Sequence, residues 1–444
     1  MPHSAILFLG ASRSRGHSLE GYWTGETTMM TDFNSRLRIL QVHDSYAPGW
    51  GGEDTVVELE RRMLCAQGHA VEQFRTSHTA LKKARIVRQM LAVPSFLWSP
   101  TAYRTLQQKI AEFQPAVVHV HNTFPQLSPS VFWAARRAGV PVIQTLHNFR
   151  HVCAGATLLR DGKPCEECVG RSPWAALRYG CYGESRARTA TVVAVNFLHS
   201  KLGTYPSVDA FIVLNGFSRE IFRRANFPEA QMTTKTNFVP LTLISNEARR
   251  QQAVFVGTIS QSKGVPLLFE AWSRARLAQW KLLLVGEGPE RERLERQWGN
   301  RTDIEWCGKV DRFEVMKHVA ASRWLVFPSL AYENCPMVVL EALSAGTPVI
   351  AADHPALRAM IHHGCEGLLF RSGSVEALAA ALESGLGCTG ETWPAWSNAA
   401  RAAHTERYSE AANYRQLISI YRTAIAGRAA CASLTEAGPI AKIS

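Results

Sequence analysis

Leu325-Val-Phe327, then Glu333-Asn-Cys-Pro-Met-Val-Val-Leu-Glu341, then Gly346-Thr-Pro-Val-Ile350: the reading of these three runs decides the fold. The first is a short apolar strand. Pro336 or Met337 marks the start of a helix, because a proline has no N–H to donate and is tolerated in a first turn. Gly346 suits the end of that helix, and Val349 to Ala351 is again a buried apolar strand. Strand, helix and strand in this order form a right-handed crossover in a parallel sheet. The helix start matters most. It offers unpaired backbone N–H groups and the positive end of the helix dipole, an arrangement that suits an anion.

The same rhythm extends in both directions. Strands are expected at Val254 to Val256, Leu282 to Val285 and Ile304 to Trp306, with helical patterns at Pro266 to Ala275, Pro289 to Trp298, Arg312 to Ala321 and Met337 to Ala345. Earlier in the chain, strands are expected at Leu37 to Val42, Ala70 to Phe74, Ala116 to Val120, Val142 to Leu146 and Ala210 to Leu214. Helices fit Glu53 to Gln67, ended by Gly68, and Ser130 to Ala138. At 444 residues the chain exceeds the roughly 250–300 residues that one core sustains. The expectation is an α/β protein of two facing Rossmann-like domains with an interdomain cleft. Residues 1–35 are read as a poorly structured extension and 36–240 as the first domain, with a cysteine-bearing insertion at 150–185. Residues 241–409 form the second domain and 427–444 a tail. A helix at 410–426 should pack back on the body through Tyr414, Leu417, Ile418 and Tyr421. Ligands of such sheets bind beyond the carboxyl ends of the strands, which puts the site in the cleft.

Composition narrows the partners. Lys and Arg number 49 against 37 Asp and Glu, a net charge of +12, and 46% of residues are hydrophobic. These values exclude a wholly disordered, collagenous or coiled-coil chain. The charge is uneven: 27 basic and 17 acidic residues up to position 240, but 22 and 20 after it. An anionic partner for the first half follows. The chain lacks a helix-turn-helix, zinc-finger or RNP signature, so no specific nucleic acid is expected. No window approaches the ~20 apolar residues of a membrane span, and the run Ala5 to Ala11 lacks the preceding charge of a secretory signal. A cytoplasmic protein is expected. Lys82, Lys83, Arg85 and Arg88 beside Met90, Leu91, Phe96, Leu97 and Trp98 suggest peripheral contact with an anionic membrane at its inner face. A solvated helix face over core aromatics is the plainer reading of the same stretch.

Several local features fall on loops after strands. Lys263-Gly264 follows the first strand of the second domain, where by itself a solvated loop lysine is the plain reading. Glu341 lies about one turn into its helix, where it can accept from ribose hydroxyls, and Glu333 lies ahead of the helix, where it can accept from sugar hydroxyls. On spacing alone, two acids favoured by a helix dipole explain the pair equally well. Gly286 and Gly288 in VGEGP (285–289) give an incomplete dinucleotide fingerprint and are read as a tight turn at the cleft.

Taken with VHVHNTFP (118–125), TLHN (145–148), the Glu-x7-Glu spacing and GTPVI, the sequence strongly resembles family 4 glycosyltransferases of the two-domain GT-B architecture, from about Leu37 to Tyr421. That resemblance implies retaining transfer of a sugar from a nucleotide-diphosphate sugar, without a metal or other catalytic cofactor. A glycan or lipid-linked acceptor in polysaccharide or lipopolysaccharide synthesis is implied too. It assigns catalysis to His147, near the transferred sugar, to Lys263, beside the departing diphosphate, and to Glu333, on the sugar hydroxyls. It assigns substrate binding to Gly51, Gly52, Thr258, Gly286, Lys309, Val310, Asn334, Cys335, Met337, Val338 and Glu341. Where the family carries an Arg beside the donor phosphates, this chain has Thr258. A catalytically weak GT-B binding or scaffold protein in a glycan synthesis complex is therefore the alternative. His119 and His121 are expected to be packed or solvated.

The spacing Cys153-x11-Cys165-x2-Cys168-x12-Cys181 is compatible with a structural zinc. Buried thiols in a long insertion, which relatives resembling this chain also carry, are the other reading.

Overall fold

The computed structural model describes residues 36–45, 51–77, 93–241, 249–388 and 392–436. The expected N-terminal extension, the basic run from Lys82 to Leu91 and the residues from 437 onward lie outside them.

Two parallel sheets organise the chain. The first contains β1 (Arg38–Ser45), β2 (Ala70–Ser77), β3 (Val117–Asn122), β4 (Val142–Leu146), β7 (Ala210–Val213) and β8 (Met232–Thr234), in the order β2-β1-β3-β4-β7-β8. Between β4 and β7 runs the long insertion, with a two-stranded hairpin of β5 (Leu159–Arg160) and β6 (Lys163–Pro164). The second sheet contains β9 (Arg250–Val256), β10 (Lys281–Val285), β11 (Ile304–Gly308), β12 (Ser322–Phe327), β13 (Val349–Ala352) and β14 (Gly367–Phe370). Its order is β11-β10-β9-β12-β13-β14. Strands such as β3, β4 and β13 are buried at every residue, as expected where helices cover both faces of a parallel sheet.

Strand order reverses once in each sheet, between β1 and β3 and between β9 and β12. Successive crossovers leave in opposite directions there, opening a crevice at the carboxyl ends of the strands. The loops carrying Lys263 and Glu333 follow β9 and β12, so the second crevice is flanked by the two residues that the sequence singled out.

Apolar side chains seal the layers. Ala253, Phe255, Leu282 and Trp324 on one face of the second sheet pack against helix residue Trp272, while Val254, Leu325 and Val349 on the other pack against helix residue Leu340. The last helix, Glu410–Glu436, extends ten residues beyond the expected Ala426. It covers the first sheet: Leu417, Ile418 and Tyr421 are buried against Ile39, Val117, Ile143 and Ile212. Each such side chain contributes ~1.5–3 kcal/mol, enough to hold the helix down. The preceding helix, Trp393–Arg407, packs with Ala400 in the core of the second sheet. The chain thus ends by crossing back to its first domain.

Two edge strands, β8 and β14, were not legible in the sequence. β8 is three residues with two exposed threonines, and β14 is a four-residue run opened by a glycine. Neither is long enough to show a period.

Candidate active site

A cleft of about 1950 Å³, counted to its open mouth, lies between the carboxyl ends of the two sheets. The first domain lines it with Gly51, Gly52, Glu53, His147, Asn148 and Arg150, and with Gly155 to Thr157 of the cysteine-bearing loop. The second domain contributes Thr258, Lys263, Val310, Arg312, Glu333, Asn334, Cys335, Met337, Val338 and Glu341.

The second domain supplies the charge. Lys263 Nζ donates to Glu333 Oε1 at 2.5 Å, and Ser329 Oγ donates to the same oxygen at 2.8 Å. Lys263 precedes a left-handed Gly264, where a Cβ would strike the Pro328 carbonyl. That glycine lets the β9 loop lie directly against the β12 loop. The helix Met337–Ala345 begins after Pro336, and no side chain caps its first turn. Its leading N–H groups and dipole remain available to an anion. Gly52 faces this helix start, and a Cβ there would come within 3.2 Å of Met337 Cγ.

Glu341 is buried, and burial raises its pKa against the opposing pull of Arg312, whose Nη2 lies 3.0 Å from Glu341 Oε1. Arg312 opens the helix Arg312–Ala321 and lines the cleft. Lys309 lines an adjoining cavity together with Val310 and Arg312. Gly286 is not among the residues lining the cleft. A Cβ at that position would strike the Gly257 carbonyl, so a glycine there allows the close packing of the β9 and β10 ends.

Asn334 and Cys335 line the cleft and also take part in the contacts between the two domains. The Asn334 amide donates to the carbonyls of His147 at 2.9 Å and Leu146 at 3.3 Å. Asn215 donates to the Asn334 carbonyl, and Asn237 donates to the Cys335 carbonyl at 3.3 Å. These bonds pin the Glu333 loop of one domain to β4 of the other. The Cys335 thiol is packed in the core, and burial pushes its pKa up to about 11.

His147 directly follows β4, with Nε2 3.0 Å from His121 Nδ1. Burial holds its pKa well below the usual histidine range, so it acts as a neutral imidazole. His119 and His121 lie in the interior.

Three charged cleft residues escaped the sequence reading: Glu53, Arg150 and Arg312. Glu53 accepts from Asn148 Nδ2 at 2.7 Å, and burial raises its pKa while that hydrogen bond opposes the rise. A glutamate directly after Gly51-Gly52 at a helix start is the signal that could have found it, by the reasoning applied to Glu341. Arg150 stacks over Phe124 at 4.7 Å and Tyr182 at 5.1 Å.

Cys153, Cys165, Cys168 and Cys181 line one small cavity and are free thiols. They are not among the described groups of three or more whose ligand atoms come within 4.8 Å of one another. Burial raises the thiol pKa of Cys168 and Cys181.

Comparison with known proteins places this geometry. Residues 51–237 match the family described as glycosyl transferase 4-like domain, and residues 250–387 match glycosyl transferases group 1. The chain belongs to the family 4 glycosyltransferases. This glycosyltransferase is 24% identical over 357 residues to alpha-monoglucosyldiacylglycerol synthase of Streptococcus pneumoniae, covering 75% of each chain. It is 36% identical over 103 residues to phosphatidyl-myo-inositol mannosyltransferase of Mycobacterium leprae, covering 23% of this chain and only 27% of that relative. Among solved structures, Anabaena HepE in complex with UDP and glucose aligns with a TM-score of 0.59 at 16% identity, over 86% of this chain and 99% of that one. Sucrose-phosphate synthase of Thermosynechococcus elongatus aligns with a TM-score of 0.64 at 19% identity, over 88% and 100%. These likenesses show the fold, and the fold of this glycosyltransferase is GT-B.

Proposed function

We propose that this glycosyltransferase moves a sugar from a nucleotide-diphosphate sugar to a glycan or lipid-linked acceptor in polysaccharide or lipopolysaccharide synthesis, with retention and without a metal. The observation that carries the reading is the meeting of Lys263, Glu333 and the uncapped helix start at Met337 where the strand order reverses. The diphosphate would lie against that helix start and take Lys263 from Glu333. Glu341 and Val310 would then meet the nucleoside. Anabaena HepE, which shares the fold, has been solved with UDP and with UDP-glucose.

In the transfer step, the bond from the anomeric carbon to the phosphate oxygen breaks as the acceptor oxygen bonds to that carbon. The departing phosphate takes the acceptor's proton on the same face of the sugar. Lys263 and the helix N–H groups stabilise the charge that develops on the leaving oxygen. Glu333, already held by Lys263 and Ser329, is assigned to sugar hydroxyls and not to attack on carbon. Domain closure would exclude water from the donor.

A membrane-facing acceptor has its own support. The helix Arg186–Lys201 exposes Ala190, Ala194, Phe197, Leu198 and Lys201 along one stripe, and Phe197 is 60% exposed. Leu202 and Trp174 are exposed as well, and Arg186 and Arg188 supply positive charge. Apolar groups beside cations suit the interface of an anionic bilayer. Among the described residues no helix is long and apolar enough to cross a membrane. The protein is expected to float with phosphatidylglycerol vesicles, and Phe197→Asp to lose most of that binding. Equal recovery with and without vesicles would remove the membrane from the account.

The function itself is tested by incubating the purified protein with UDP-, GDP- and ADP-sugars and following nucleotide release and product mass. Turnover of one donor class is expected. Binding without turnover would favour the scaffold alternative raised by Thr258, and neither binding nor turnover would refute the transferase reading. A structural zinc at the four cysteines has only their shared cavity behind it, and elemental analysis of the purified protein decides it.

A further inference from the structure

Behind His147 runs a buried chain of polar groups that the transfer chemistry above leaves unused. His121 stacks on His147, with the ring centroids 5.3 Å apart. His121 Nε2 faces Glu60 Oε2 at 3.7 Å, and His119 Nδ1 faces the same oxygen at 3.7 Å. The other carboxylate oxygen, Glu60 Oε1, accepts from Lys235 Nζ at 3.0 Å. Lys235 also donates to Asn413 Oδ1 at 3.1 Å and to the Thr236 carbonyl at 3.3 Å. Glu60, His119, His121 and Lys235 are all buried, yet Glu60 Oε2 and His121 Nε2 have no hydrogen-bond partner.

The ligand atoms of Glu60, His119 and His121 lie within 4.8 Å of one another, a spacing that a metal ion could use. Two facts argue against one. The Lys235 ammonium already neutralises the carboxylate, so a divalent ion would add charge beside charge. Both ring nitrogens of His119 are also engaged, by the hydroxyls of Tyr421 and Thr145, each at 2.8 Å.

We infer that Glu60 is a positioning residue that acts through His121 to hold His147 in the tautomer protonated on Nε2. The carboxylate favours a proton on the nitrogen facing it, His121 Nε2. That leaves His121 Nδ1 as an acceptor, so His147 must donate its Nε2–H across the 3.0 Å contact. His147 Nδ1 is then bare and ready to accept from a hydroxyl. Burial keeps both rings neutral, so each has one donor and one acceptor nitrogen, and choosing one fixes the other. Lys235 anchors the chain by holding Glu60 in place. The inference rests on the reading of His147 as the neighbour of the transferred sugar.

The test is ¹⁵N NMR of the histidines in the full-length protein, followed by kinetics of Glu60→Gln. In the native protein His147 should carry its proton on Nε2, and a proton on Nδ1 would overturn the inference without any variant. In Glu60→Gln the new amide keeps its oxygen on Lys235 and turns its NH2 group to His121 Nε2. His121 and His147 should then both move their proton from Nε2 to Nδ1, with kcat falling about 10- to 100-fold at nearly unchanged donor KM. Unchanged tautomers in a folded variant would overturn the relay, and shifted tautomers with unchanged kcat would overturn its role in transfer. If the native protein turns over no donor, the transferase reading fails, while the native spectrum still decides the relay.

Discussion

Lys263→Ala is expected to lower kcat for sugar transfer by about 10²- to 10³-fold, the usual cost of removing one group that stabilises charge developing on a leaving oxygen. The fold should survive the change. Lys263 is 31% exposed and Glu333 17%, and a partly exposed pair of this kind is worth roughly 0–1 kcal/mol of stability. A large kinetic loss with an unchanged melting temperature would therefore report chemistry. Lys263→Arg should recover part of the activity, because the charge returns on a differently shaped head. Steady-state kinetics with the preferred donor reads both variants. The helix start at Met337 is still present in Lys263→Ala, so the variant should retain some activity.

Glu333→Gln separates binding of the leaving group from binding of the sugar. In the unliganded protein Glu333 neutralises Lys263, so an incoming diphosphate must compete with a carboxylate for the ammonium. Removing that charge frees Lys263, and the free nucleoside diphosphate should bind more tightly. Transfer should nevertheless fall, with kcat/KM down about 10- to 100-fold, because the amide is a weaker acceptor for sugar hydroxyls than a carboxylate is. Opposite signs for product affinity and transfer are the signature. If both fell together, Glu333 would be holding the loop and not the sugar. Its effect should not add to that of Lys263→Ala, since the two side chains share one contact.

The second domain was more legible than the first because its site is built from contiguous sequence. Glu333, Met337 and Glu341 lie in one loop and the helix that follows, so spacing alone placed them at a helix start. Lys263 needed only a strand before it. The first domain contributes side chains drawn from distant segments. Glu53 meets Asn148 across 95 positions, and Glu60 meets Lys235 across 175. No periodicity reports such pairs, because they depend on how the sheet is assembled and not on local pattern. Asn334 shows a related limit: its position beside Glu333 was visible, but its use as a clasp on the His147 carbonyl depends on the packing of two domains. Gly286 shows the opposite limit. A glycine after a strand looks the same in sequence whether it approaches a ligand or, as here, a neighbouring backbone carbonyl.

The uneven charge can now be placed in part. Arg186, Arg188 and Lys201 flank an exposed apolar stripe on the first domain. In the second domain two cleft cations are each paired with a carboxylate, Lys263 with Glu333 and Arg312 with Glu341. The proposed donor position would rearrange the first of these pairs.

A diphosphate is expected to dock where Lys263, Glu333 and the Met337 helix start converge. Calorimetric titration of nucleoside diphosphates into the native protein and into Lys263→Ala tests it most directly. One diphosphate should bind the native protein at one site per chain, and the variant should bind it at least about tenfold more weakly. The corresponding nucleoside without phosphates should not distinguish the two proteins. Equal affinity of both proteins for every nucleoside diphosphate would contradict the claim.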